Sequence, residues 1–142
     1  MSTVPPVANA TESSGQGLIL GQKVLTVVLA LAIVVQAALA GSGLFKGNRD
    51  LIDGHEMLGN VIFLISAIQV VLAFLSMQKG LTGKALLVTS IITLGLVVAQ
   101  LGLGYSGRES ADAKAWHLPN GVLLMGACTL NVALAWIRPA KV

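Results

Sequence analysis

Charge is what this sequence has least of. Only 11% of its 142 residues are Asp, Glu, Lys or Arg, where a water-facing domain carries about 25%. An ordinary soluble globule is excluded on that ground. Acids are scarcer than bases, six against nine, giving a formal charge of +3. The bases are scattered over tails and loops and build no basic face, so nucleic acid is excluded as a partner and membrane topology accounts for them better. The single cysteine, Cys128, cannot form an intrachain disulfide and says nothing of redox compartment. The start of the chain has no basic n-region, and its first apolar block is longer than a signal peptide's h-region. Ala38-Leu39-Ala40 has the look of a cleavage site, but cutting there would destroy the internal repeat described below, so no cleavage is expected.

What fills the sequence instead is aliphatic. It is 55% hydrophobic with a mean hydropathy of +0.84. The apolar residues fall in four blocks, near 24–44, 52–76, 85–105 and 116–137. Each is about 20 residues, the length that crosses roughly 30 Å of hydrocarbon. The expected fold is all-α: one membrane domain over 18–142, a four-span up-down-up-down bundle in the lipid bilayer. Residues 1–17 are small, polar and aperiodic, and are expected to form a disordered cytoplasmic tail. Asn9-Ala10-Thr11 matches a glycosylation sequon by pattern only.

The chain repeats itself. From His55 one helical stripe reads Gly59, Ile62, Ser66, Gln69 and Ala73, and from His117 the same offsets give Gly121, Leu124, Cys128, Asn131 and Ala135. Steps of three and four keep each set on one face of an α-helix. Cys128 stands where the other copy has Ser66, so it reads as a small packing residue. Upstream, Gln36-x-x-Leu39-x-x-Ser42-Gly43 aligns without a gap to Gln100-x-x-Leu103-x-x-Ser106-Gly107. A tandem two-helix repeat, 24–77 and 85–138, outranks other fold evidence. Its histidines then face the interior rather than lipid.

Loop charge orients the bundle. Lys23, Lys79, Lys84, Arg138 and Lys141 lie on the side of the termini; Lys46, Arg49, Arg108 and Lys114 lie on the other, beside most of the acids. Both termini are therefore expected in the cytoplasm, with the chain in the inner (plasma) membrane and both histidines near the outer face. Helix 4 is expected to begin close to Pro119, where a missing N–H costs little. A start further upstream would put a proline kink beside His117.

Two copies of a two-span unit are related by an axis along the membrane normal, which sets helices 2 and 4 diagonally opposite, about 14 Å apart. His55 and His117 reaching across that diagonal would give a haem iron one axial ligand each. Gly59 and Gly121 are expected to clear space for the porphyrin face, and Gly41, Gly43, Gly102, Gly104 and Gly107 to thin helices 1 and 3 at that level. Gln36 and Gln100 are expected to line the pocket. Lys46, Arg49, Arg108 and Lys114 are expected to meet the propionates. Zinc is disfavoured, since it wants three or four ligands. Against this stands the plainer reading of an interfacial histidine, solvated or capping a loop.

Gln69 and Asn131 lie about 21 Å below their histidines, too deep for the same cofactor. They read first as interhelical hydrogen-bonding residues worth about 1 kcal/mol, and second as the floor of a quinone site. Three functions follow: a small haem b cytochrome passing electrons to a quinone or a larger respiratory complex; a cofactor-free tetraspan structural or assembly subunit; and a chlorophyll-type pigment binder. No proton relay or substrate pocket is legible, and no catalytic residue is assigned.

The Gln36-x-x-Leu39-x-x-Ser42-Gly43 run followed by His55, and Gln100-x-x-Leu103 followed by His117, resembles one four-helix half of the heme A synthase family. The sequence is also similar to a family of small four-helix bacterial membrane proteins. The first resemblance covers 24–138 and implies that His55 and His117 ligate haem. The chain departs from that family in having one half rather than two and no cysteine pair after helix 1. Ile52 stands where the family has a glutamate one turn before the histidine, and Glu56 follows His55 instead. What the resemblance implies is haem binding, not the family's catalysis.

Overall fold

The computed structural model describes the backbone from Ala10 to Ile137 and side chains from Gly15. Four helices follow in order: α1 (Ala10–Lys46), α2 (Arg49–Gln78), α3 (Lys84–Ser106) and α4 (Ala111–Trp136). All four are long and apolar enough to cross a membrane, with α1 counted from Gly15. Each helix packs on its sequence neighbours, and α1 also packs on α4; neither diagonal pair is in backbone contact. The result is a closed up-down-up-down ring, as expected.

Its polarity is that of a lipid-solvated bundle. Among the buried residues are Gln22, Thr26, Ser66, Gln69, Ser76, Ser90, Thr93 and Asn131, while Leu31, Val34, Phe63, Leu64, Ile91 and Val98 point outward and exposed. Water would make that arrangement costly, whereas hydrocarbon demands it: outward side chains must be apolar, and polar ones must find partners inside. The buried positions keep strict register. In α1 they are Gln22, Thr26, Leu29 and Ile33, and in α3 Leu86, Ser90, Thr93 and Val97, at the same intervals of four, three and four. In α2, Ile62, Ser66, Gln69 and Ala73 recur in α4 as Leu124, Cys128, Asn131 and Ala135. The stripe read from each histidine is thus the buried face of its helix. Leu29, Ile33, Ile62, Val97, Leu124 and Cys128, drawn from all four helices, form the apolar core below the histidines. Cys128 is a free, buried packing residue there.

Short connections keep consecutive helices antiparallel. Gly47 and Gly80 adopt positive φ, 61° and 67°, which an L side chain resists. Each ends its helix with a wrap-back bond, Asn48 N–H to the Gly43 carbonyl and Leu81 N–H to that of Ser76, both 2.9 Å. Asn48 and Ser110 then cap α2 and α4, accepting from the amides of Leu51 and Ala113 at 3.3 Å.

Two boundaries differ from the sequence reading. Helix α1 begins at Ala10, inside the stretch expected to be tail, and its Gly15 lies against Leu81 of the α2–α3 turn. Residues 1–9, including the asparagine of the sequon, and Arg138 and Lys141 lie outside the described residues. Helix α4 starts at Ala111, so Pro119 is interior to it. The reason is the Ser110 cap with Asp112 in the first turn, which favours a helix start well before the apolar block. Pro119 has no N–H, so the Ala115 carbonyl loses its usual intrahelical donor.

Gly43 is a point of close approach between α1 and α2. A Cβ there would stand 2.6 Å from Ile52 Cδ1 and 3.2 Å from its backbone nitrogen, whereas one at Gly41 would meet nothing within 4 Å. Gly43→Ala should lower stability by about 1–3 kcal/mol through overpacking, and Gly41→Ala should be neutral or gain up to about 1 kcal/mol from helix propensity. Thermal unfolding in mild detergent checks the pair; equal effects would contradict this close approach.

Candidate functional site

The two histidines are placed alike by their caps. His55 follows Asn48, and His117 follows Ser110, by the same seven positions. Although the backbones of α2 and α4 do not touch, the two side chains meet: their ring centres are 6.1 Å apart with planes inclined by 67°. They close one end of the interior, the one nearest the α1–α2 and α3–α4 connections, across its diagonal. The structure brings together the pair that the sequence singles out.

Each histidine is seated by a glutamine from the preceding helix. Gln36 Nε2 donates to the His55 carbonyl at 2.8 Å, and Gln100 Nε2 donates to the His117 carbonyl at 3.1 Å. The same bond therefore ties α1 to α2 and α3 to α4. His55 Nδ1 lies 3.0 Å from the Gln36 carbonyl. A carbonyl only accepts, so Nδ1 carries the proton and Nε2 keeps its lone pair. The His117 ring rests on Gly104, where a Cβ would stand 3.4 Å from Cε1. Its Nδ1 is buried and makes no hydrogen bond of normal geometry.

The glycines one turn below have another occupant than the one expected. A Cβ on Gly59 would come 3.1 Å from Gln36 Nε2 and 3.3 Å from Leu101 Cδ2, and one on Gly121 would come 3.3 Å from Gln100 Nε2. The space expected for a porphyrin face beside these two residues is filled by the glutamine amides. Both glycines let the amides reach the histidine carbonyls. Gly41 and Gly102 face open space, Gly43 receives Ile52, and Gly107 lies against the stem of Lys114.

The cations sort differently again. Arg108 pairs with Glu56 at 2.5 Å, from the α3–α4 turn to α2. Arg49 pairs with Asp53 on its own helix at 3.7 Å. Both arginines thus have carboxylates where propionates were expected. These pairs are solvent-exposed, so each contributes little to stability. Tyr105 Oη adds a bond to Asn60 Oδ1 at 3.2 Å beside the first pair.

Gln69 and Asn131 are far from the histidines and serve the interior. Gln69 Nε2 donates to Ser90 Oγ at 3.1 Å. Asn131 Nδ2 donates to Thr93 Oγ1 at 2.8 Å and its Oδ1 accepts from Thr89 at 2.5 Å. They bond α2 to α3 and α3 to α4, as the first of their two readings holds. Among the described residues no group of three His, Cys, Asp or Glu side chains converges.

Asn120 escaped the sequence reading. Its Nδ2 donates to the Gln100 Oε1 at 2.5 Å and to the Leu96 carbonyl at 3.0 Å. Its counterpart after His55 is Leu58, so following only the repeated residues passes over it. The signal was there: a polar side chain three positions after a histidine on an apolar helix. Gln36 Oε1 is buried without a partner, a second difference between the two seats.

Compared with family models, curated proteins and solved structures, the chain has no match.

Gln100→Leu should cost about 1 kcal/mol more stability than Gln36→Leu, because it also strips Asn120 of an acceptor. Adding Asn120→Leu to the first variant should remove most of that difference. Thermal melts of the three variants decide, and equal losses at both glutamines would mean that the Asn120 bond contributes nothing.

Proposed function

We propose that this multi-pass membrane protein binds one haem b between His55 and His117 and passes electrons within the membrane, to a quinone or to a larger respiratory complex. The observation that carries the reading is the histidine pair itself. A metal–imidazole bond is about 2 Å and the ring centre lies roughly 1 Å behind the nitrogen, so two imidazoles sharing one metal have centres about 6 Å apart. The rings here are 6.1 Å apart. Two imidazoles without a third ligand suit an iron whose other four positions are filled by a macrocycle. Haem would supply one-electron chemistry on binding. The chain's own residues hold and orient: Gln36 fixes the His55 tautomer, both glutamines set the height of the histidine backbones, and the outward aliphatic surface keeps water away. Termini in the cytoplasm, from the loop charges, would place this site at the outer face of the inner membrane.

One observation favours a second reading, a cofactor-free tetraspan subunit: the amides of Gln36 and Gln100 already fill the space beside Gly59 and Gly121. Colour separates the two. Protein purified from haem-replete cells should show a sharp Soret band on reduction under the first reading and none under the second.

His55→Ala and His117→Ala should each convert a six-coordinate low-spin spectrum to five-coordinate high-spin, or lose the haem. Gly59→Leu and Gly121→Leu should weaken binding by dislodging the glutamines. If both histidine variants keep an unaltered low-spin spectrum, a haem shared between them is wrong.

A further inference from the structure

At the end of the bundle opposite the histidines, the seam between α1 and α4 packs least closely. A groove of about 270 Å³ opens there, lined by Leu20, Lys23, Val24, Val27 and Val28 of α1 and by Trp136 of α4. Every lining residue except Lys23 is apolar or aromatic. The Lys23 ammonium sits 4.5 Å from the centre of the Trp136 ring. Among the described residues the ion pairs are Arg49 with Asp53 and Arg108 with Glu56, and no described carboxylate pairs with Lys23.

Depth along the helix identifies what meets this groove. From Lys23 to Lys46, at the far end of α1, the axis runs about 35 Å, against roughly 30 Å of hydrocarbon. Lys23 and Trp136 therefore stand at one membrane interface, where such side chains anchor. Val24, Val27 and Val28 lie on the hydrocarbon side of Lys23. An apolar channel leading up to an ammonium has the shape and charge of one molecule available there.

We propose that this groove is a specific site for an anionic glycerophospholipid. One acyl chain lies along Val24, Val27 and Val28, and the phosphate takes the Lys23 ammonium, which the indole of Trp136 holds in place. A zwitterionic lipid brings its own cation to the phosphate and gains less from Lys23. A second copy of the chain docking through the same face would set two Lys23 ammonium groups together, which disfavours it. The proposal is independent of the histidine site.

The test is thermal unfolding of the full chain in mild detergent, with phosphatidylglycerol or with phosphatidylcholine of the same acyl chains. In the wild-type protein phosphatidylglycerol should raise Tm by roughly 5 °C and phosphatidylcholine by much less. Lys23→Gln should lose most of the phosphatidylglycerol increment, and Lys23→Arg should keep it. Native mass spectrometry of the wild-type protein in a mixture of the two lipids should show the anionic one retained. Equal stabilisation by both lipids, an undiminished increment in Lys23→Gln, or a concentration-dependent Tm without lipid (a second copy as occupant) would each overturn the proposal. If Lys23→Gln does not fold, the wild-type lipid comparison and the competition decide alone.

Discussion

Hydrocarbon solvates no polar group, and the arrangement of this molecule follows from that. Most outward positions on the four helices are apolar, and Gln22, Thr26, Ser66, Gln69, Ser76, Ser90, Thr93 and Asn131 are turned inward. Once inside, they must bond across helices or remain unmatched. Gln69 with Ser90, and Asn131 with Thr89 and Thr93, do so near the end opposite the histidines. Gln36 and Gln100 do so near the histidine end. The aliphatic layer between them, from Leu29 to Cys128, has no such ties and relies on packing alone. The polar bonds also fix which helix faces meet, which matters in lipid because apolar surface has little preference for protein over acyl chains.

The same constraint positions the histidines. A histidine backbone seated by a glutamine amide is held both along the helix and across the helix pair. The matched distance from Asn48 to His55 and from Ser110 to His117 brings both rings to one height. Side chains then span a diagonal that the backbones leave open. The two imidazoles meet over the centre of the histidine end and form its lid.

Much of this was legible in the residues, for a simple reason. A membrane span must be long and apolar, so hydropathy alone marks four of them. A buried stripe in such a span must be small or polar, so Gly59, Ser66 and Gln69 stand out against Val and Leu. What was not legible depends on partners across space. Arg108 finds Glu56 because α2 and α3 align at that height, which no spacing within either helix records. Gln36 and Gln100 were read as lining a pocket; that each reaches a histidine's backbone rather than its ring follows from the closeness the glycines permit. The start of α1 was missed because polar residues beyond the bilayer carry no apolar period, though a helix can continue through them.

Pro119 gives the near-symmetry a direction. Around His55 the helical turn keeps its full ladder, and the imidazole is also tied to the Gln36 carbonyl. Around His117 the ladder lacks one rung two residues away, and the ring rests on a bare glycine with its Nδ1 short of a hydrogen bond of normal geometry. One imidazole is bonded through its ring to the preceding helix, and the other helix is held at its histidine through the backbone bond from Gln100. Two hairpins whose buried positions keep the same register thereby offer unequal seats to their histidines.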